Sequence, residues 1–269
     1  MQQNLSVTGG KVKKRTVFLL ALLPLLLAFG CEGLFQFNLF DSLDQPDIPT
    51  AADLAAMGNE ALTYLNDALQ SDDFMETLAE DEEATQEILN FLSETYLTGD
   101  PDEETLGSYQ EAAVLYAKIE FGTSEAGTVA NNLVETIASS EDVVDLSAIF
   151  PPGMTDEEFS EAYDAMLSAA TVYTLLGESL IDLDGDGTVD PSGDINMGEV
   201  VQDAIIAIYV QTVTDSIPGT DEEKKAAFKE YVVNDGPDPV PEAIDIGESL
   251  NNNTALNNIF EAADFSMDF

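Results

Sequence analysis

From Thr50 onward the apolar residues recur at helical intervals, between residues that start and stop helices, and this pattern restricts the chain to one class of fold. Leu54, Met57, Ala61, Tyr64, Leu65 and Ala68 share one face of a first predicted helix, with Thr50 placed to cap it. Ile88, Leu92 and Tyr96 mark another, which Gly99 should terminate. Asp100-Pro101-Asp102-Glu103 offers a cap, a first-turn proline and a reciprocal carboxylate for the helix that follows. The same box recurs as Thr155-Asp156-Glu157-Glu158 and Thr220-Asp221-Glu222-Glu223, where the acids also favour the helix dipole. These matching tetrads read as convergent caps, not as a repeat. A long helix from about Thr155 to Ile181 carries Phe159, Tyr163, Met166, Ala170, Tyr173 and Leu180 along one seam. Ala204 to Val210 is apolar on every side, which predicts a helix at the centre of a bundle. A fully buried strand would have the same composition, but the capped neighbours favour a helix. The expected fold is therefore all-α, a helical bundle or irregular helical array over residues 50–269. Pro151-Pro152-Gly153 offers a seam near residue 150, and residues 236–241 a second break.

Charge decides which partners such a bundle can meet. All 53 acidic residues lie after Cys31, whereas four of the eight basic ones precede it. Residues 31–269 thus carry only Lys118, Lys224, Lys225 and Lys229 as cations, a net charge of −49, with no arginine, histidine or tryptophan. Nucleic-acid binding requires cations that displace phosphate counterions, and this field repels polyanions. Arginine phosphate clamps, Ser-His-Asp and Cys-His mechanisms and histidine-ligated zinc all lack their residues. A chain with one cysteine forms no internal disulfide, so stability must come from a core or a metal. With so many carboxylates, a pair at glycosidase spacing would arise by chance and signals nothing. The acid excess with lysine depletion matches proteins adapted to salt, in which counterions screen self-repulsion. The other reading, disorder, conflicts with 45% apolar residues and regular periodicity.

The N-terminus has a different character. Lys11, Lys13, Lys14 and Arg15 precede an apolar run from Val17 to Phe29 that only Pro24 interrupts. Those 13 residues fall short of the roughly 20 that a membrane-spanning helix needs, and have the proportions of an export-signal core. Leu27-Ala28-Phe29-Gly30-Cys31 resembles the lipobox of bacterial lipoproteins, with Ala28 standing where leucine is commoner. The resemblance implies cleavage after residue 30 and a diacylglyceryl group on Cys31. That places the chain in the cell envelope, on the periplasmic face or the outer surface of a bacterial membrane. Two acyl chains hold a protein firmly where one does so marginally. Residues 31–49 form the expected tether. Its aromatic stretch, Gly33 to Phe40, either rests at the lipid interface or packs back onto the domain.

One stretch carries chemistry. Asp182-Leu183-Asp184-Gly185-Asp186-Gly187-Thr188-Val189-Asp190 resembles the calcium loop of EF-hands. The resemblance implies Asp182, Asp184 and Asp186 as the first three ligands and a backbone carbonyl from Thr188. Asp190 follows as the fifth, directly or through water, Gly187 permits the turn, and Val189 packs inward. The closing glutamate of the family is absent: Gly193 takes its place, leaving Asp194 or Glu199 to complete the site. A single unpaired loop fits a static calcium staple of extracellular affinity rather than a sensor.

Two further likenesses are weaker. Gly107, Tyr109, Ala112 and Tyr116 have the spacing of the second helix of a tetratricopeptide repeat, but no second copy follows at the 34-residue period a solenoid needs. Phe265, Met267 and Phe269 alternate like the closing strand of an outer-membrane barrel, and no series of such strands precedes them. The reading these residues favour is a non-enzymatic, calcium-stabilised envelope module that binds a protein or small ligand. A carboxylate-dependent hydrolase would instead gather two or three acids in a closed pocket. A structural surface coat would have no pocket.

Overall fold

Three side chains fix where helices begin. Thr50 accepts from the Asp53 amide while Asp53 returns a bond to the Thr50 amide. Thr155 and Glu158 exchange the same pair, with the Thr155 amide 2.7 Å from the glutamate. Thr220 and Glu223 form the third box. Each satisfies amides that a helix start leaves unpaired.

The computed structural model describes residues 47–139, 149–151, 153–183, 188–192, 195–234, 236–241 and 244–265. The helices in chain order are α1 (Ala51–Met57), α2 (Ala61–Ala68), α3 (Asp72–Glu80), α4 (Glu82–Tyr96), α5 (Leu106–Gly122) and α6 (Ala126–Ser139). They continue as α7 (Asp156–Ser179), α8 (Met197–Ser216), α9 (Asp221–Asn234), α10 (Ile246–Asn251) and α11 (Thr254–Ala262). Among the described residues the only β pairing is an isolated bridge, and the fold is all-α. No helix among them is long and apolar enough to cross a membrane.

One predicted helix is divided and one predicted start is displaced. The first helix was expected to run unbroken from Leu54 to Ala68. It divides at Gly58, whose φ of 58° lies in the left-handed region, and a short 3-10 turn, Gly58–Glu60, joins the halves. The helix after Gly99 begins at Leu106, and its start is organised by Asp102 rather than Asp100. Asp102 accepts from the amides of Glu104 and Thr105, and Thr105 Oγ1 accepts from the Asp102 amide. Thr105 thus takes the reciprocal role expected of Glu103.

Residues 46–269 form one unit with two apolar clusters that share α5. The first gathers Leu54, Leu65, Phe74, Leu78, Ile88 and Leu92 against Leu115 and Ile119. The second surrounds α7, which packs on α5, α8 and α11. Because α5 serves both clusters, Leu106, Ala113, Leu115, Ala117, Ile119 and Phe121 are buried around its whole circumference. Ala204 to Ile208 and Val210 are buried in α8, the central position expected of that segment. Phe150, Phe159, Tyr163 and Phe228 form a ring cluster with centroids 5.6–6.4 Å apart. Burying Phe228 alone contributes about 2–3 kcal/mol. Lys225 and Lys229 lie over rings of this cluster, and all four lysines clamp helices together. Lys225 reaches Asp164 and Ser160 at 2.6 Å, and Lys229 binds Asp156. Lys118 meets Glu199 at 3.3 Å, and Lys224 meets Asp215 at 3.9 Å. All four cations of residues 31–269 therefore join one helix to another.

Candidate metal loop and adjoining cleft

The acidic stretch lies between the end of α7 and the start of α8, as the helix–loop–helix reading requires. Its ends are tied together. The Asp190 amide donates to the Ile181 carbonyl at 2.9 Å in an antiparallel bridge. Just outside that bridge stands Gln110 of α5, fully buried. Its Nε2 donates to the Ser179 carbonyl at 3.0 Å, and its Oε1 accepts from the Ser192 amide at 2.6 Å. One side chain thus clasps the chain on both sides of the loop. Gly107, one turn earlier on α5, lets the segment at Ser192 settle: a Cβ there would fall 2.9 Å from the Ser192 carbonyl oxygen.

Asp182 and Thr188 are exposed and Asp190 is half-buried on this tied loop. Val189 and Ile195 pack against the main core, the inward turn expected of Val189. Ile181 and Leu183, each 48% exposed, lie beside the acids at the surface. Asp184, Asp186 and Asp194 lie outside the described residues, as does Cys31. Among the described residues no three acidic side chains converge closely enough to hold an ion. The side chains the sequence places on the loop offer only oxygen donors, which fit calcium or magnesium and not the thiol and imidazole metals. Of the two residues expected to close the site, Glu199 is engaged elsewhere. It accepts from Asn196 Nδ2 at 2.8 Å and pairs with Lys118, so its carboxylate is held toward α5.

A cleft of about 330 Å³ adjoins the clasp, lined by Leu97, Gly99, Asp100, Pro101 and Tyr109 on one side and Leu175, Glu178 and Ser179 on the other. The Ser179 hydroxyl is spent on the Leu176 carbonyl at 2.7 Å. Burial raises the Tyr109 phenol above its ordinary value, and the charges of Glu178 and Asp100 raise it further. Among the described residues three carboxylates are held above the usual range, and all lie elsewhere. Burial raises Glu111 and Glu120 on α5, and pushes Asp203 on α8 up to about 6 against the pull of Lys118.

Sequence reasoning missed Gln110, the residue that ties the loop shut. Its one signal was an uncharged amide in the mixed but largely apolar stretch from Leu106 to Phe121. The residues of the tetratricopeptide-like spacing have separate roles. Gly107 admits the segment at Ser192, Tyr109 faces the cleft, Ala112 is buried, and Tyr116 bonds Ser168 of α7 at 3.0 Å. Comparison with family models, curated proteins and solved structures finds no match to this chain.

Proposed function

We propose that this chain is a lipid-anchored protein of the bacterial cell envelope, held through Cys31, whose helical domain is a non-enzymatic binding module stapled by calcium at the loop of residues 182–194. The observation that carries the reading is the clasp. A loop bearing four aspartates within nine residues is drawn closed at its base by the Ile181–Asp190 bridge and by Gln110. Closing anions into a confined turn costs free energy that a divalent cation offsets. Asp182, Asp184, Asp186 and Asp190 would supply carboxylate oxygens and Thr188 its carbonyl, with Asp194 closing the site. Binding of a protein or small ligand is favoured over hydrolysis because the carboxylates with raised affinity for protons lie outside the cleft lining.

The deciding comparison sets the natural chain against Asp184→Ala/Asp186→Ala, each melted in EDTA and in calcium at one high ionic strength. Calcium at a hundred times its dissociation constant stabilises by about 2.7 kcal/mol, and the double substitution abolishes that increment. Magnesium substitutes poorly, because it keeps its waters and demands octahedral geometry. Equal calcium shifts in both proteins would place the ion on the diffuse acidic surface instead. The anchor is tested separately. Cys31→Ser should leave an unprocessed or soluble precursor, and its recovery in the membrane fraction at natural gel mobility would refute the lipid assignment.

A further inference from the structure

Tyr109 is 5% exposed, and its hydroxyl makes no hydrogen bond among the described residues. No fully enclosed side-chain nitrogen or oxygen among them lacks a partner. The phenol oxygen must therefore keep some accessible surface, and Tyr109 is one of the residues that line the cleft. A phenol oxygen with no protein partner is bonded from the cleft, by water or by a ligand that displaces it. Two carboxylates, Asp100 and Glu178, line the same cleft, close enough that both act on the phenol. Neither has a cationic partner among the described residues, where all four lysines are committed to other acids. Leu97, Pro101 and Leu175 complete the walls with apolar surface. The volume, about 330 Å³, lies at the small end of ligand pockets.

We propose that this cleft binds a primary ammonium group on an aliphatic stem, with Asp100 and Glu178 taking the charge, Tyr109 Oη accepting one N–H, and Leu97, Pro101 and Leu175 covering the methylenes. The chemistry is shared by a free alkylamine and by a lysine side chain of a partner protein. An ammonium offers three donors and no acceptor, matching a lining whose charged groups only accept. An anion is repelled by the same pair. The proposal rests on the reading of the chain as a binding module, but not on calcium occupying the neighbouring loop.

The test is titration calorimetry on the purified full-length chain in detergent, at about 0.15 M salt so that diffuse attraction is damped. The probes are n-pentylamine, n-pentanol and N-acetyl-lysine methylamide. Pentylamine should bind and pentanol should not. Asp100→Asn/Glu178→Gln should weaken pentylamine by about tenfold or more, and Tyr109→Phe by about threefold, with melting temperatures near that of the natural chain. Tighter binding of the lysyl probe identifies a protein side chain as the source, and tighter binding of pentylamine a free amine. Equal pentylamine affinity in the natural chain and the double variant would mean a loose counterion, and would overturn the site, as would equal binding of pentanol. Calcium stabilisation without amine binding would sink this proposal and leave the loop reading intact. Amine binding without calcium stabilisation would do the reverse.

Discussion

Replacing Gln110 by methionine removes two hydrogen bonds while keeping the side chain's length and most of its volume. The Ser179 carbonyl, in a buried residue, loses the Nε2 donor at 3.0 Å. The Ser192 amide loses its acceptor at 2.6 Å, but Ser192 is half-buried and water can partly replace the bond. Leaving a buried polar group unpaired costs about 1–3 kcal/mol, and the Ser192 amide belongs at the low end of that range. Methionine returns a little through apolar burial, so the net loss is about 2–4 kcal/mol. For a unit of residues 46–269 each kcal/mol moves the melting temperature by about 2–4 °C, giving a drop on the order of 10 °C. Urea unfolding followed by circular dichroism measures the free energy, and the slope should stay unchanged because the core is untouched. Gln86→Met is the control. Gln86 is exposed and its side-chain amide donates to Asn90 at 3.2 Å, so its replacement should cost no more than about 0.5 kcal/mol. Hydrogen exchange should also quicken at the Asp190 amide, whose bridge lies inside the clasp. A Gln110→Met protein within about 0.5 kcal/mol of the natural chain, with Asp190 equally protected, would show that Gln110 does not hold the loop.

Two solution responses follow from the charges. Raising ionic strength from about 0.1 M to about 1 M shortens the screening length from about 10 Å to about 3 Å. Four lysine clamps weaken slightly while repulsion among 53 acids falls, so the melting temperature should rise, and a neutral osmolyte serves as control. A flat or falling trend would count against the salt-adapted reading. The second response belongs to Asp203, whose carboxyl burial pushes up to about 6 in the folded state. The folded form then binds a proton more tightly than the unfolded form, so this group's stabilising contribution is complete below pH about 4 and is lost as pH rises through about 6. Asp203→Asn should stabilise the protein at pH 7 by about 1–3 kcal/mol and flatten that part of the pH profile. An unchanged profile would refute the assignment.

Helices were legible where their determinants are local. The boxes at Thr155 and Thr220 span four residues each and formed as read. The start near Asp100 went astray because two aspartates two residues apart each precede a helical run. Burial of Leu106 and Tyr109 fixes the register, and that is a tertiary fact. The order of the calcium stretch between two helices was legible too, but its clasp was not. Gln110 lies 82 residues from Ser192 in sequence, and no local pattern links them. The cleft was hidden for the same reason, since the segment 97–109 and the last turn of α7 meet only in the fold.

The seating of α11 on α7 sets an order of events during synthesis. Gly177, near the end of α7, has no Cβ, which allows the Ala255 backbone to lie against it, and Asn258 Nδ2 donates to the Gly177 carbonyl at 2.9 Å. Leu256, Ile259 and Phe260 then complete the cluster around α7. A ribosome working from the N-terminus can release the cluster of α1 to α5 as a folding unit long before α11 exists. The larger cluster has no such option: α7 stays open along one side until residues near 260 have been made. From the completion of Ser179 until residues near 260 have been made, the chain is therefore half-assembled, with its long central helix still available to any factor that binds unfolded polypeptide.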